Sequence, residues 1–201
     1  MNRRDFLRRA GVASAGLASL PVFADVAQAG GADHVRWDIP SVDFSTAPVT
    51  LRPGGVAFAS ADMSRKIKLT GSGTFVAPAS GKQSGAVTGG GTWETFEGTT
   101  STGNGTYEVT RLVDWEFANF QTGTFTDLIS NTSERANGNV ILRIEYSDGS
   151  NGILGVGCEG PGAPEGIQEG VIATKGFVTY WTRQAPTPGV DKNRTVFHVM
   201  K

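Results

Sequence analysis

The sequence predicts an all-β fold, antiparallel and closed into a barrel of about eight strands, with a two-sheet β-sandwich as the alternative. Three observations carry this expectation. Helical periodicity is almost absent after residue 30. Apolar and polar residues alternate in short segments that end at Gly, Asn and Asp. Glycine supplies 28 of the 201 residues, against a background rich in Thr and Val that favours strands and turns over helices. With 11 Phe, 4 Trp and 3 Tyr, the chain has enough large apolar surface to fold rather than stay disordered.

In chain order, strands are expected at 46–51, 55–61, 65–70, 73–77, 85–96, 105–117, 139–146, 152–158, 168–174, 176–182 and 195–200, some of them halves of one bent strand. The hairpin around Ser147-Asp148-Gly149-Ser150-Asn151-Gly152 is the clearest, because Asp-Gly and Asn-Gly supply positive-φ turn residues. On its first arm Val140, Leu142, Ile144 and Tyr146 share one face, and Asn139, Arg143 and Glu145 share the other with Ile141. The 105–117 strand is long against a mean of roughly 5–6 residues. Simple alternation puts Tyr107, Val109, Arg111, Val113, Trp115 and Phe117 on its inner face and leaves Leu112 as an apolar exception outside. Long half-buried strands curl, and the Gly-rich partner Val87–Trp93 permits the curl. Gly123–Gly138 reads as helical or irregular, with Thr126 as a helix cap. Segments 157–166 and 184–193 read as loops.

The first residues read as an address. Arg3, Arg4, Arg8 and Arg9 form a positive head, an apolar run follows from Ala10 to Ala24, and Ala27-Gln28-Ala29 gives an A-x-A end. The pattern Arg3-Arg4-x-Phe6-Leu7 resembles the twin-arginine (Tat) export signal. That resemblance implies cleavage after Ala29, a mature single all-β domain over 30–201, and the twin-arginine translocase as transient partner. It also implies passage of a folded chain across the bacterial cytoplasmic membrane to the periplasm or beyond. A stable membrane anchor is not expected: the run falls short of about 20 apolar residues, and Ser14, Ser19 and Pro21 interrupt it.

Composition excludes several chemistries. A net charge of -1 gives no field for gathering nucleic acid. Two His and one Cys cannot build a zinc finger, a Cys-ligated iron–sulfur cluster or an internal disulfide, so no metal and no cofactor is expected. Cys158 is then a buried or tolerated thiol. Gly155-Val-Gly157-Cys-Glu-Gly160 matches G-x-G-x-x-G, but Pro161-Gly162-Ala163-Pro164 denies it the helix a dinucleotide needs. No phosphate loop or nucleophile elbow occurs. His34 is expected in a mobile tail, which leaves His198 as the one candidate for a Ser–His or Cys–His pair. None of the close carboxylate pairs, Glu94/Glu97, Asp114/Glu116 or Glu165/Glu169, identifies itself as catalytic.

Arg111 is the pointed residue. A charge on an apolar face is costly unless paired, so it is either a structural ion pair or a ligand anchor walled by Trp93, Tyr107 and Trp115. Gly91-Thr92-Trp93 resembles the G-x-W signature of lipocalin- and avidin-like barrels. Glu165–Gly176 resembles the late Gly-rich strand of allene oxide cyclase- and dirigent-like barrels, eight-stranded folds that guide small hydrophobic substrates. The export signal, the all-β pattern, the interior aromatics and the inward Arg111 together point to a non-enzymatic exported barrel that binds a small hydrophobic or amphipathic molecule, or serves as an interaction module. The alternative, which the allene oxide cyclase-like resemblance implies, is a cofactor-free isomerase or cyclase.

Overall fold

Alternating sequence becomes strand throughout the residues that the computed structural model describes, 33–77, 86–183 and 193–200. The expected export residues Arg3, Arg4, Phe6 and Leu7, the expected cleavage position Ala29 and most of the 184–193 connector lie outside them. The described strands are β1 (Asp33–Asp38), β2 (Ser41–Asp43), β3 (Thr50–Arg52), β4 (Ala57–Ser60), β5 (Arg65–Leu69), β6 (Ser72–Ala77), β7 (Val87–Glu97), β8 (Thr100–Phe120), β9 (Thr126–Asp127), β10 (Arg135–Tyr146), β11 (Asn151–Cys158), β12 (Gly170–Lys175), β13 (Val178–Tyr180), β14 (Thr182–Arg183) and β15 (Val196–Met200). The described residues contain no α-helix.

Twelve strands share one sheet, and all their pairings are antiparallel. Hydrogen bonds run from β10 through β15, β1, β6, β7 and β8 back to β10, a closed ring of strands. Two long strands fork. One edge of β7 takes β6 over Val87–Gly90 and β5 over Trp93–Glu97. β10 takes β15 at Arg135 and Ala136, then β11 from Gly138 onward. From these forks β11–β12–β13 and β5–β4–β14 extend away from the ring, and β12 returns against β4. The buried apolar side chains form one cluster. Inside the ring, Trp115 meets Phe75 and Phe197 edge-on at 5.3 and 4.7 Å.

The expected hairpin is present. Val140, Leu142, Ile144 and Tyr146 are buried, and Gly149 takes φ +84° at the turn. Asn151-Gly152 is not part of that turn but the start of β11.

Three expectations are corrected. His34 is not in a tail: it belongs to β1, which lies between β15 and β6, with Val35 and Trp37 fully buried. The 123–138 stretch is not helical beyond one 3-10 turn at Thr132–Glu134, capped by Asn131. Asn131 and Ser133 bond the local backbone there, which favours turns over longer helix. Arg111 does not face inward. β8 carries three one-residue bulges against β10: Ile144 faces Val109 while Arg143 faces Arg111, Leu142 faces Leu112 while Ile141 faces Asp114, and Gly138 faces Phe117 while Asn137 faces Asn119. Each extra residue inverts the side-chain phase. Tyr107, Val109 and Leu112 therefore point inward, Arg111 is exposed, and the second bulge returns Trp115 to the inside.

The remaining strands, β2, β3 and β9, make a small second sheet, antiparallel for β2–β3 and parallel for β3–β9. Through Asp127 it contacts the outer side of β15. Strand β15 is consequently buried on both faces from Val196 to Val199.

Candidate functional site

The covered outer face is polar. Alternation that turns Trp37 and Phe197 inward turns Arg36, Asp38 and His198 outward, under the second layer. Arg36 bonds Asp38 through Nε (2.7 Å) and Nη2 (2.9 Å). His198 Nε2 lies 2.9 Å from Asp127 Oδ2, with both side chains fully enclosed. Burial works against the Asp127 carboxylate, but the His198 bond and the Ile129 and Ser130 N–H donors together hold it below its ordinary range. An ionised carboxylate only accepts, so Nε2 is the donor. His198 is thus committed to Asp127, and the Cys158 thiol is committed elsewhere: it donates to the Thr195 carbonyl and accepts from Gln121, each at 3.1 Å. Burial raises the Cys158 pKa, so the thiol stays protonated and a poor nucleophile. The two residues do not form a Cys–His pair.

Beside this layer a cavity of about 220 Å³ opens between the second sheet and the loop after β11. Pro40, Val42, Phe44 and Leu51 line one side; Phe125 and Arg135 line another; Gln121, Cys158–Pro161, Glu169 and Arg194–Val196 complete it. The loop is tied down by Asn137, which accepts from the Gly160 N–H at 2.7 Å, and by Asn119, which donates to the Gly162 carbonyl at 2.6 Å. The Arg135 guanidinium stacks 4.0 Å from the Phe125 ring centre, and that of Arg194 lies 5.5 Å from the ring of Phe44.

Glu169 is the desolvated acid of the site. Burial pushes its pKa up to about 7, although the N–H groups of Glu159 (2.7 Å) and Thr195 (2.5 Å) pull the other way. The Thr195 hydroxyl lies 2.5 Å from the Gly157 carbonyl and 3.1 Å from Glu169 Oε1, and as a donor to that oxygen it too pulls the Glu169 pKa down, against the larger effect of burial.

The residues singled out in the sequence do not gather here. Trp93 and Tyr107 are core side chains, the first donating to the Thr106 carbonyl (3.0 Å) and the second to the Thr70 carbonyl (2.8 Å). The Trp93 indole covers Gly103 and Gly105: a Cβ added at Gly105 would meet Nε1 at 3.0 Å. That is an aromatic seated over strand glycines. Trp115 packs inside the ring, and Arg111 is on the solvent side. The described residues hold no group of three or more His, Cys, Asp or Glu placed to bind a metal ion. They contain no helix long and apolar enough to cross a membrane.

No protein-family model matches the chain, no curated protein matches its sequence, and no solved structure matches its fold. The site therefore rests on its own geometry. Sequence reasoning missed Arg135, Phe125, Phe44 and Arg194, because they come from separate segments that only the second layer unites. Glu169 was visible as half of a carboxylate pair, but its partner in the fold is Thr195 rather than Glu165. A usable signal did exist at Arg135: extending the 139–146 alternation backward places a charged residue on the face opposite Ala136.

Proposed function

We propose that the chain is an exported, non-enzymatic binding protein. A twin-arginine leader ending at Ala29 carries a folded β-barrel across the bacterial cytoplasmic membrane, and the barrel holds a small amphipathic molecule. The ligand sits outside the ring, in the cavity beside the second sheet, since aromatic and aliphatic side chains occupy the ring interior. The observation that carries this reading is the lining itself: Phe44, Val42, Leu51 and Phe125 form an apolar seat, with the charged groups of Arg135, Arg194 and Glu169 in the same cavity. Apolar walls with a few convergent polar groups are the usual form of a small-molecule site. The cavity is small. A cavity of 150 Å³ accommodates benzene, so about nine non-hydrogen atoms fit here.

A cofactor-free isomerase or cyclase is the second reading, favoured by Glu169, whose raised pKa near 7 suits proton transfer. Both of its oxygens are already engaged by backbone donors, which favours a positioning role over a catalytic one.

Native mass spectrometry of the exported protein from its own host tests the binding reading. A captive mass of roughly 100–200 Da is expected. Val42→Trp, which fills the cavity, should eliminate it. No captive mass in the wild type, or one indifferent to Val42→Trp, overturns the reading.

A further inference from the structure

We infer that the molecule held in this cavity is a small monocarboxylic acid, its carboxylate seated on Nη1 of Arg135 and its apolar body against Phe125 and Phe44. The inference rests on the binding reading above and names the ligand class for the same site.

Arg135 is 1% exposed. Its guanidinium makes two long contacts, Nε to the Thr132 carbonyl and Nη2 to the Gly123 carbonyl, each at 3.4 Å. Nη1 is buried and has no hydrogen-bond partner among the described residues. Asp127 is close enough to attract Arg135 electrostatically, but its oxygens are engaged by His198, Ile129 and Ser130. A guanidinium keeps its charge in proteins, and a buried charge without a bonded counter-ion costs several kcal/mol. One cation with one unused NH2 group calls for one anionic group supplied from outside. Because Arg135 lines the cavity, a ligand there supplies it.

The surroundings favour one negative charge over two. Among the side-chain donors of the lining besides Arg135 and Arg194, Gln121 already donates to the Ala136 carbonyl and to Cys158, and Thr195 to the Gly157 carbonyl. A dianion would also meet Glu159 in the same lining. The face of Phe125 is already stacked on the guanidinium, so a flat apolar body continuing from the carboxylate extends along a ready-made surface. Phe44, 53% exposed, borders the cavity and has most to gain from coverage.

The test is calorimetric titration of the whole exported protein with benzoate, phenylacetate and hexanoate, each beside its neutral amide, and with phenyl phosphate. Each acid should bind roughly ten- to hundredfold more tightly than its amide, the worth of a charge-assisted bond. Arg135→Met should bring the acids down to the level of the amides without lowering the thermal midpoint, since replacing a buried unpaired charge by an apolar side chain is neutral or stabilising. Arg135→Lys, which keeps the charge but not the fork, should fall between. Amides binding as tightly as acids, with Val42→Trp abolishing both, would leave the binding reading standing and overturn the acid. Phenyl phosphate binding more tightly than every acid, or acids indifferent to both Arg135 variants, would overturn it too. If none of the probes binds, the captive molecule decides: a neutral mass overturns the acid alone, a carboxylic acid supports it, and no mass at all overturns both readings.

Discussion

Glu169 is where the chemistry of the cavity reaches the stability of the protein. Its oxygens join the loop after β11 to the start of β15, through the N–H groups of Glu159 and Thr195. Arg194, Arg183 and Cys158 bear on it electrostatically, and Glu159 and Arg135 share the cavity lining. Burial dominates, and the folded-state pKa rises from 4.5 to about 7. For an acid shifted upward, the protonated form is the one the native state favours. Its full contribution is present below the ordinary value near 4.5 and is lost as pH rises through about 7. The shift corresponds to about 3 kcal/mol. Urea unfolding between pH 5 and 8 should therefore show stability declining across this window and levelling above it. Glu169→Gln should flatten that slope. It should also lower stability at pH 5 by about 1–3 kcal/mol, because the amide NH2 must oppose the N–H of Glu159 or of Thr195. A slope unchanged by the substitution would place the titrating group elsewhere.

At the scale of the element, β8 explains what could be read in advance and what could not. Hairpin β10–β11 was legible because its first arm alternates from Val140 to Tyr146, with Ile141 the one exception, and Asp148-Gly149 marks the turn. In β8 the same rule misplaced Arg111, since a bulge inverts the phase without changing the composition. The trace was nonetheless present: Arg111 and Leu112 are adjacent, and each violates simple alternation in the opposite sense. A charged exception followed by an apolar exception is what one inserted residue produces. Strand β1 failed for a different reason. Its burial depends on β15, some 160 residues away, and on a second layer that no local pattern reveals. The site was illegible for that same reason, as Arg135 and Phe44 meet only through that layer. The bulges make an expected contrast between neighbours. Arg111→Ala should change stability by no more than about 0.5 kcal/mol, whereas Leu112→Ala, emptying a position 1% exposed, should cost about 2–5 kcal/mol. Chemical denaturation of the two variants measures both, and the reverse order would return Arg111 to the interior.

At the scale of the whole molecule, closure joins the two ends of the described chain. Strand β15, the last, inserts between β10 and β1, the first, so the ring is incomplete until the C-terminal residues are present. Contacts this distant in sequence form slowly, and partly formed sheets expose unpaired edges. A route that exports a finished fold suits such a topology better than one that threads an open chain. Truncation before Val196 should be severe. It removes the buried Phe197 and Val199, leaves edges of β1 and β10 unpaired, and strands Asp127 as an enclosed carboxylate without His198. The truncated chain should lose its cooperative unfolding transition and, carrying the proposed leader, should stay in the cytoplasm of a host with a working twin-arginine translocase. Full-length chain with Arg3→Lys and Arg4→Lys should stay there as well, yet fold normally. Cell fractionation with limited proteolysis separates the two: the leader variant is protease-resistant in the cytoplasm, the truncated chain is degraded. Export of the truncated chain would break the proposed link between ring closure and passage across the membrane.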